Sequence, residues 1–300
     1  METAGTVQKR TFDVGGLQLA ADVYAAESPH GVALMLHGGG QTRHSWGAAA
    51  RRLAAAGWTA ITLDSRGHGD SGWAEDGDYT QDAMIGDLEG VLATLDEPPV
   101  LVGASMGGLT SLLGVGEGRL RARALVLVDI APRIEPEGAG RIIDFMRAAP
   151  DGFATLEEVA DAIGAYNPHR KRPNSLEGLK KNVRQGTDGR WRWHWDPAFL
   201  TNGDEPQRGV NQPRLQQAAA AVRIPTLLVR GKQSDVVSVE GAEELVRLIP
   251  GSRYVDVSGA GHMVAGDDND IFSREVLLLL SELDDVHDKE VHPKDVDQQR

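Results

Sequence analysis

Six short runs of apolar residues, at 32–36, 59–63, 100–102, 124–128, 226–229 and 253–257, set the strongest limit on how this chain folds. Each closes on or near a glycine or aspartate, and none alternates with polar residues as a strand with one wet face would. Between them lie stretches of helical spacing at 46–56, 81–95, 106–115, 239–249 and 270–283, with Gly57 and Gly251 where helix-terminating glycines belong. Alternation of this kind predicts an α/β fold with a mostly parallel sheet covered by helices on both faces. Ahead of it, residues 11–14 and 17–24 flank Gly15-Gly16 and predict a hairpin feeding the sheet.

The alternation stops between 132 and 222. That stretch has no clear strand, several prolines, and amphipathic runs at 142–149 and 156–165. We therefore expect a core formed by 1–131 plus 223–283, a helical lid insertion at 132–222, and a disordered tail at 284–300, which is charged and nearly free of large apolar residues. The formal charge of −13 is unevenly spread: the insertion carries 13 Lys/Arg against 12 Asp/Glu, so the acidity belongs to the core. An acidic balance argues against nucleic acid as a partner, because such binding rests on Lys/Arg neutralising phosphates. No apolar run approaches the ~20 residues of a membrane span. The opening METAGTVQKR has no secretory signal character, and with no cysteine there is neither a disulfide framework nor a thiolate metal site. The expectation is a cytoplasmic protein acting on a small-molecule substrate, without cofactor; no metal-ligand spacing is present among its nine histidines.

The segment Gly103-Ala104-Ser105-Met106-Gly107-Gly108 follows one apolar run directly and opens a helix. This is G-x-S-x-G in the strand–turn–helix setting of a nucleophile elbow. So tight a turn needs nearly side-chain-free residues two before and two after the serine, and Gly103 and Gly107 meet that need. A serine nucleophile requires a base, and the base an orienting carboxylate. His262 lies in the glycine loop 259–263 after the last run, and Asp235 lies just past the run 226–229. Both therefore fall beyond carboxyl ends of predicted strands, where an open α/β sheet places its ligands. The glycines of His37-Gly38-Gly39-Gly40 allow close backbone approach to a substrate oxygen, with the N–H groups of Gly39 and Met106 forming an oxyanion hole and Gly38 beside them.

Together HGGG at 37–40, DSRGHGDSGW at 64–73, GASMGG at 103–108, SD at 234–235 and GAGHM at 259–263 resemble the α/β-hydrolase superfamily. They are most similar to its lid-bearing group of serine esterases, lactonases, cofactor-free haloperoxidases and epoxide-hydrolase-like proteins. The resemblance covers about 11–283 and implies an eight-stranded sheet. It also implies the chain order Ser105, Asp235, His262, and hydrolysis of a carboxylic ester or lactone. Relatives that open epoxides hold aspartate where Ser105 stands, which sets that chemistry aside. Hydrolysis of a carbon–carbon bond in a keto acid and perhydrolysis remain as alternatives, as does a hydrolase-fold receptor for a small molecule. The family sometimes takes its acid from the end of the preceding strand, where Asp129 stands; Asp235 is preferred here, with Asp129 as an anchor where the insertion leaves the core.

Weaker signals remain. Residues 67–72 formally match G-x-G-x-x-G but run into loop-like sequence rather than a helix, against a dinucleotide site. Trp191, Trp193 and Trp195 alternate with Arg192 and His194; if extended, the tryptophans share a face, either lining the substrate pocket or packing the lid down. From 170 to 192 there are eight Lys/Arg and two Asp/Glu, a solvated face or, if part of it turns inward, a preference for anionic substrates.

Overall fold

In the central strands, odd and even residues go to different layers. The computed structural model describes residues 7–166, 175–201, 211–262 and 270–291, the backbone alone being described for 270 and 285–291. The elements of the amino-terminal half are β1 (Val7–Val14), β2 (Leu17–Tyr24), β3 (Gly31–Leu36), α1 (Gly47–Ala55), β4 (Trp58–Leu63), α2 (Gln81–Leu92), β5 (Val100–Ala104), α3 (Met106–Gly116) and β6 (Ala124–Val128). There follow α4 (Pro136–Arg147), α5 (Leu156–Tyr166), β7 (Val183–Gln185), β8 (Trp191–Trp193), α6 (Gln212–Ala221), β9 (Thr226–Gly231), α7 (Val239–Leu248), β10 (Arg253–Val257) and α8 (Asp270–Val291).

Eight strands form one sheet in the order β1-β2-β4-β3-β5-β6-β9-β10. The hairpin β1–β2 is antiparallel and joins β4 antiparallel; the remaining pairs are parallel. Because side chains alternate across a strand, Leu34, Leu36, Leu101, Leu125, Leu127 and Leu228 enter one apolar layer. Ala33, Met35, Val100, Val102, Val126 and Val229 enter the other. The leucine layer is closed by α2, α3, α6 and α7, through residues such as Ile85, Leu112, Leu215 and Leu245. The smaller residues of the second layer meet α1 and α8, through Leu53, Phe272 and Val276. Burial at both faces explains the apolar runs of β3, β4, β5, β6 and β9, and the predicted doubly covered sheet is what forms; β10, at the sheet edge, is only partly buried.

Three expectations change at the insertion and tail. Residues 212–221 fold as α6, which crosses α3 so closely that a Cβ on Gly116 would lie 2.2 Å from the Ala218 carbonyl oxygen. Leu215, Ala218, Ala219 and Val222 thereby join the core layer, so this stretch belongs with the core. The insertion does hold strands: β7 and β8 form a short antiparallel hairpin, extended by a bridge between Phe153 and Trp191. Finally, α8 carries its helical backbone through 284 to Val291, into the segment expected to be a disordered tail, whose residues 292–300 lie outside the described residues. Among the described residues no helix is long and apolar enough to cross a membrane.

Candidate active site

Ser105 sits at the sharpest point of the backbone. It follows β5 without a spacer, with φ 45° and ψ −113°, and α3 begins at the next residue. Such a conformation costs a non-glycine residue about 1–3 kcal/mol and persists only where its surroundings enforce it. Here the enforcement is visible. The Ser105 N–H donates to the Val128 carbonyl at 3.1 Å, and the Gly107 N–H to the His37 carbonyl at 3.2 Å. A Cβ on Gly103 would lie 2.5 Å from the Gly107 carbonyl oxygen, and one on Gly107 would lie 2.6 Å from Leu36 Cβ. The two glycines flanking the serine are therefore required by close approach, as the motif predicts.

The 37–40 loop lies beside this elbow, and its N–H groups can be accounted for one by one. Gly38 donates to the Gln41 side-chain oxygen at 3.0 Å, and Gly40 to His68 Nε2 at 3.2 Å. The N–H groups of Gly39 and Met106 have no protein acceptor among the described residues. Those are the two expected to receive an oxyanion.

The histidine and carboxylate expected to act as base and acid require one correction. His262 Nδ1 meets Asp129 Oδ2 at 2.7 Å, and Asp129 is fully buried. Asp129 follows β6 directly with φ 50°, a backbone conformation that Asp tolerates better than most residues. Its other contacts fix it: Oδ1 accepts from the Gly231 N–H at 2.9 Å, and Oδ2 also accepts from the Ser234 hydroxyl at 2.5 Å. Asp235, the preferred acid at the sequence level, does not reach His262. Its carboxylate, 34% exposed, pairs with the surface guanidinium of Arg141, and its backbone packs under Gly138 of α4. The loop after β9 thus contributes Ser234 to the acid, while the aspartate next to it turns outward. With Nδ1–H donating to the carboxylate, His262 Nε2 is the nitrogen available to Ser105, and both residues line one cavity.

Three further histidines brace the oxyanion loop from behind. His37 bonds the Gly38 carbonyl through Nδ1 (2.8 Å) and accepts the Ser65 N–H at Nε2 (3.0 Å). His68 bonds the Arg66 carbonyl through Nδ1 (3.0 Å) and accepts from Gly40. His194, from the strand end after β8, accepts the Gly69 N–H at Nδ1 (2.8 Å) and reaches the Gly40 carbonyl through Nε2 at 3.3 Å. Each ring gives one hydrogen and takes one, so all three are satisfied only when neutral. Burial holds His37, His68 and His194 below the usual imidazole range, His68 at about 3. Their centroids stand 5.2 and 5.8 Å apart in sequence His37–His68–His194. The insertion is thereby tied to the loop that carries Gly39.

The remaining loop, 64–72, is structural. Arg43, 3% exposed, pairs with Asp64 and meets Asp70 at 2.9 Å and Asp22 at 3.1 Å. A Cβ at Gly69 would collide with the Asp64 carboxylate at 2.1 Å, while Gly67 and Gly72 lie close against Tyr79 and Leu17, so the glycines of 67–72 serve close packing within the loop. Arg66 likewise holds Asp87 through two bonds of 2.6 and 2.7 Å.

The cavity over Ser105 has a volume of about 320 Å³. One wall is core: Gly38, Gly39, Gly40, Gln41, His44 and His262. The other comes from the insertion: Ile142, Phe145, Tyr166, Lys181, Trp193 and Trp195. Trp193 stacks on Trp195 with centroids 5.0 Å apart and planes 12° from parallel, and Phe145 stacks on Tyr166 at 4.4 Å. Trp191 and Arg192, also expected at the substrate, do not line it. Trp191 bridges Phe153 through the backbone and packs against the cluster of Phe153, Val159, Leu179 and Val183, which Trp193 also joins, while Arg192 grips Asp188 at 2.7 and 2.9 Å. Alternation along β8 turns Arg192 to the face opposite Trp191 and Trp193. Lys181 was not singled out by the sequence. Among the described residues, no group of three or more His, Asp or Glu is placed to hold a metal ion.

A family model for the alpha/beta hydrolase fold matches residues 32–268. The esterase Rv0045c of Mycobacterium tuberculosis is 32% identical over 249 residues, covering 78% of this chain and 77% of that protein. A 2-(acetamidomethylene)succinate hydrolase of Mesorhizobium japonicum is 30% identical over 211 residues, covering 69% and 73%. A solved structure of the M. tuberculosis esterase superposes with a TM-score of 0.75 at 26% identity, covering 94% of this chain and 93% of that one. The fold, the strained serine and these relatives lead to one conclusion: the chain belongs to the alpha/beta-hydrolase family.

Proposed function

We propose that the protein is a serine hydrolase of carboxylic esters, lactones included, working through Ser105, His262 and Asp129. The observation that carries this reading is the bond from His262 Nδ1 to the buried Asp129, in a cavity that also holds the strained Ser105. Asp129 holds the imidazole in the tautomer whose Nε2 is a base. Nε2 takes the Ser105 proton as the hydroxyl oxygen attacks the ester carbonyl. The negative charge that develops on the carbonyl oxygen is met by the Gly39 and Met106 N–H groups; loss of one such donor costs about 3–4 kcal/mol in comparable sites. Collapse breaks the ester C–O bond, and the imidazolium returns its proton to the departing alkoxide. Water, activated by the same nitrogen, then releases the acid and restores Ser105. In a lactone the departing alkoxide stays tethered to the acyl group until this second half.

The keto-acid carbon–carbon alternative drew on lid arginines. Arg184 is held by Asp70 at 2.7 Å, Arg190 by the Asp151 and Gly152 carbonyls, and Arg192 by Asp188. None of them lines the cavity. The test is turnover of p-nitrophenyl butyrate together with labelling by a fluorophosphonate probe. The native chain should do both, and Ser105→Ala should do neither. Full turnover by Ser105→Ala would overturn the reading. A native chain that neither turns over nor labels would point to the receptor alternative.

A further inference from the structure

The chain carries 44 Asp and Glu and a formal charge of −13, yet no carboxylate lines the cavity over Ser105 among the described residues. The one formally charged side chain in that lining is Lys181. It closes the short turn Glu177–Lys181 just before β7, at the exposed rim of the insertion wall. Its neighbour in sequence, Lys180, pairs with Glu177 at 2.8 Å, but Lys181 has no carboxylate partner among the described residues. Around it the lining offers further polar groups, Asn182 from the insertion and His44 and Gln41 from the core, while Ile142, Phe145, Trp193 and Trp195 are apolar. The ammonium is close enough to act on His44. That ring is held below the usual imidazole range by burial first, then by Arg43, with Lys181 adding to the effect. His44 is therefore a neutral hydrogen-bonding group at neutral pH, and Lys181 is the charge.

Resting on the ester-hydrolase reading, we infer that Lys181 forms an anion subsite, and that the substrates are small esters whose acyl arm ends in a carboxylate. One ammonium balances one negative charge, which fits a carboxylate better than a phosphate carrying nearly two. A cavity of about 320 Å³ lies at the small end of ligand sites, and the apolar wall suits the methylenes between the two ends of such a molecule. In a mostly acidic protein, a cation with no carboxylate partner among the described residues also favours the anionic ester over neutral competitors during encounter.

The test pairs p-nitrophenyl hemiesters of succinate, glutarate and adipate with neutral p-nitrophenyl esters of the same chain length. The quantity read is the ratio of kcat/KM, anionic over neutral, at the best-fitting length. Lys181→Ala should lower this ratio about twofold to fivefold, the range for an exposed ion pair, and Lys181→Glu should lower it further. Added salt should lower it in the native chain and not in Lys181→Ala. Lys180→Ala, outside the cavity, should leave it unchanged. An equal ratio in the native chain and Lys181→Ala would overturn the subsite while leaving the hydrolase reading standing. If no ester is turned over, calorimetric titration with glutarate against 1,5-pentanediol decides the subsite separately. Glutarate binding that disappears in Lys181→Ala supports it, and absence of glutarate binding, or binding that survives the substitution, overturns it.

Discussion

The two walls of the cavity are built on different principles. On the core side, chemistry is fixed by backbone. Ser105 and Asp129 each follow a buried parallel strand without a spacer, each at positive φ, and the Gly39 and Met106 N–H groups proposed to meet the oxyanion belong to glycine-loop and helix-start positions. On the insertion side, the wall is made of side chains: stacked tryptophans, the Phe145–Tyr166 pair and Lys181. A parallel sheet offers strand ends held by neighbours on both sides, so reacting groups can be placed there and nowhere as rigidly. Among the described residues the insertion is built from one hairpin of three-residue strands and helices of 12 and 11 residues, which suits selection of a substrate better than bond breaking. The two aspartates of the question illustrate the divide: Asp129 is fixed by three contacts in the interior, while Asp235 faces the insertion and holds Arg141 at the surface.

If that division is right, substitutions on the core side should remove catalysis, and those on the insertion side should shift selectivity. The largest expected effect after Ser105 is Asp129→Asn. By analogy with other triads it should lower kcat by about 10³- to 10⁴-fold, whereas Asp235→Asn should stay within about threefold, as an exposed pair does. Steady-state kinetics on one neutral ester checks both. Next comes the histidine brace. His194→Phe leaves the Gly69 N–H and the Gly40 carbonyl without their partner, and denaturant melts should show a loss of about 1–3 kcal/mol. Because Gly40 adjoins the oxyanion loop, kcat should fall with it.

The same brace predicts a pH signature. His37, His68 and His194 are depressed in the folded state, so between about pH 3, the folded value for His68, and about 6.5 the unfolded chain binds more protons. Stability is complete above about 6.5 and is lost as pH falls through that window, at up to ~1.4 kcal/mol per unit for each ring. Unfolding free energies measured from pH 7 to 4 should show this slope, and His68→Gln should flatten it. The smallest effects belong to the outer insertion. Trp193→Ala should raise KM for long apolar esters severalfold through loss of a stacked wall, and Arg192→Ala should change kcat/KM less than about twofold. A large loss of kcat in either would break the division between the walls.

Much of the core was readable because its signals are local. An uninterrupted apolar run means a strand buried twice, and G-x-S-x-G after such a run means one particular turn. The acid was not readable in that way. LVLVD at 125–129 and SD at 234–235 both put an aspartate past a strand, and only the third dimension decides which carboxylate meets His262. One clue was present: Asp129 follows its run with no spacer, as Ser105 follows Ala104, while Asp235 stands four residues past the end of β9. The insertion was harder still. Trp191, Trp193 and Trp195 alternate as a strand should, yet Trp191 is bridged by Phe153, 38 positions away, and does not line the pocket with Trp193 and Trp195. Lys181 sits in a run of basic residues that gives no sign of which one turns inward. Likewise α6 reads as part of the insertion until its contact with Gly116 is seen.

The role of Asp129 is tested most directly by the proton it holds on His262. A proton shared between an imidazole Nδ1 and a buried carboxylate gives a resonance far downfield of other protein protons in a one-dimensional spectrum. That resonance should be present in the native chain and in Asp235→Asn, and absent or moved well upfield in Asp129→Asn. Its survival in Asp129→Asn together with its loss in Asp235→Asn would return the triad to Asp235 and contradict the reading of the core wall given above.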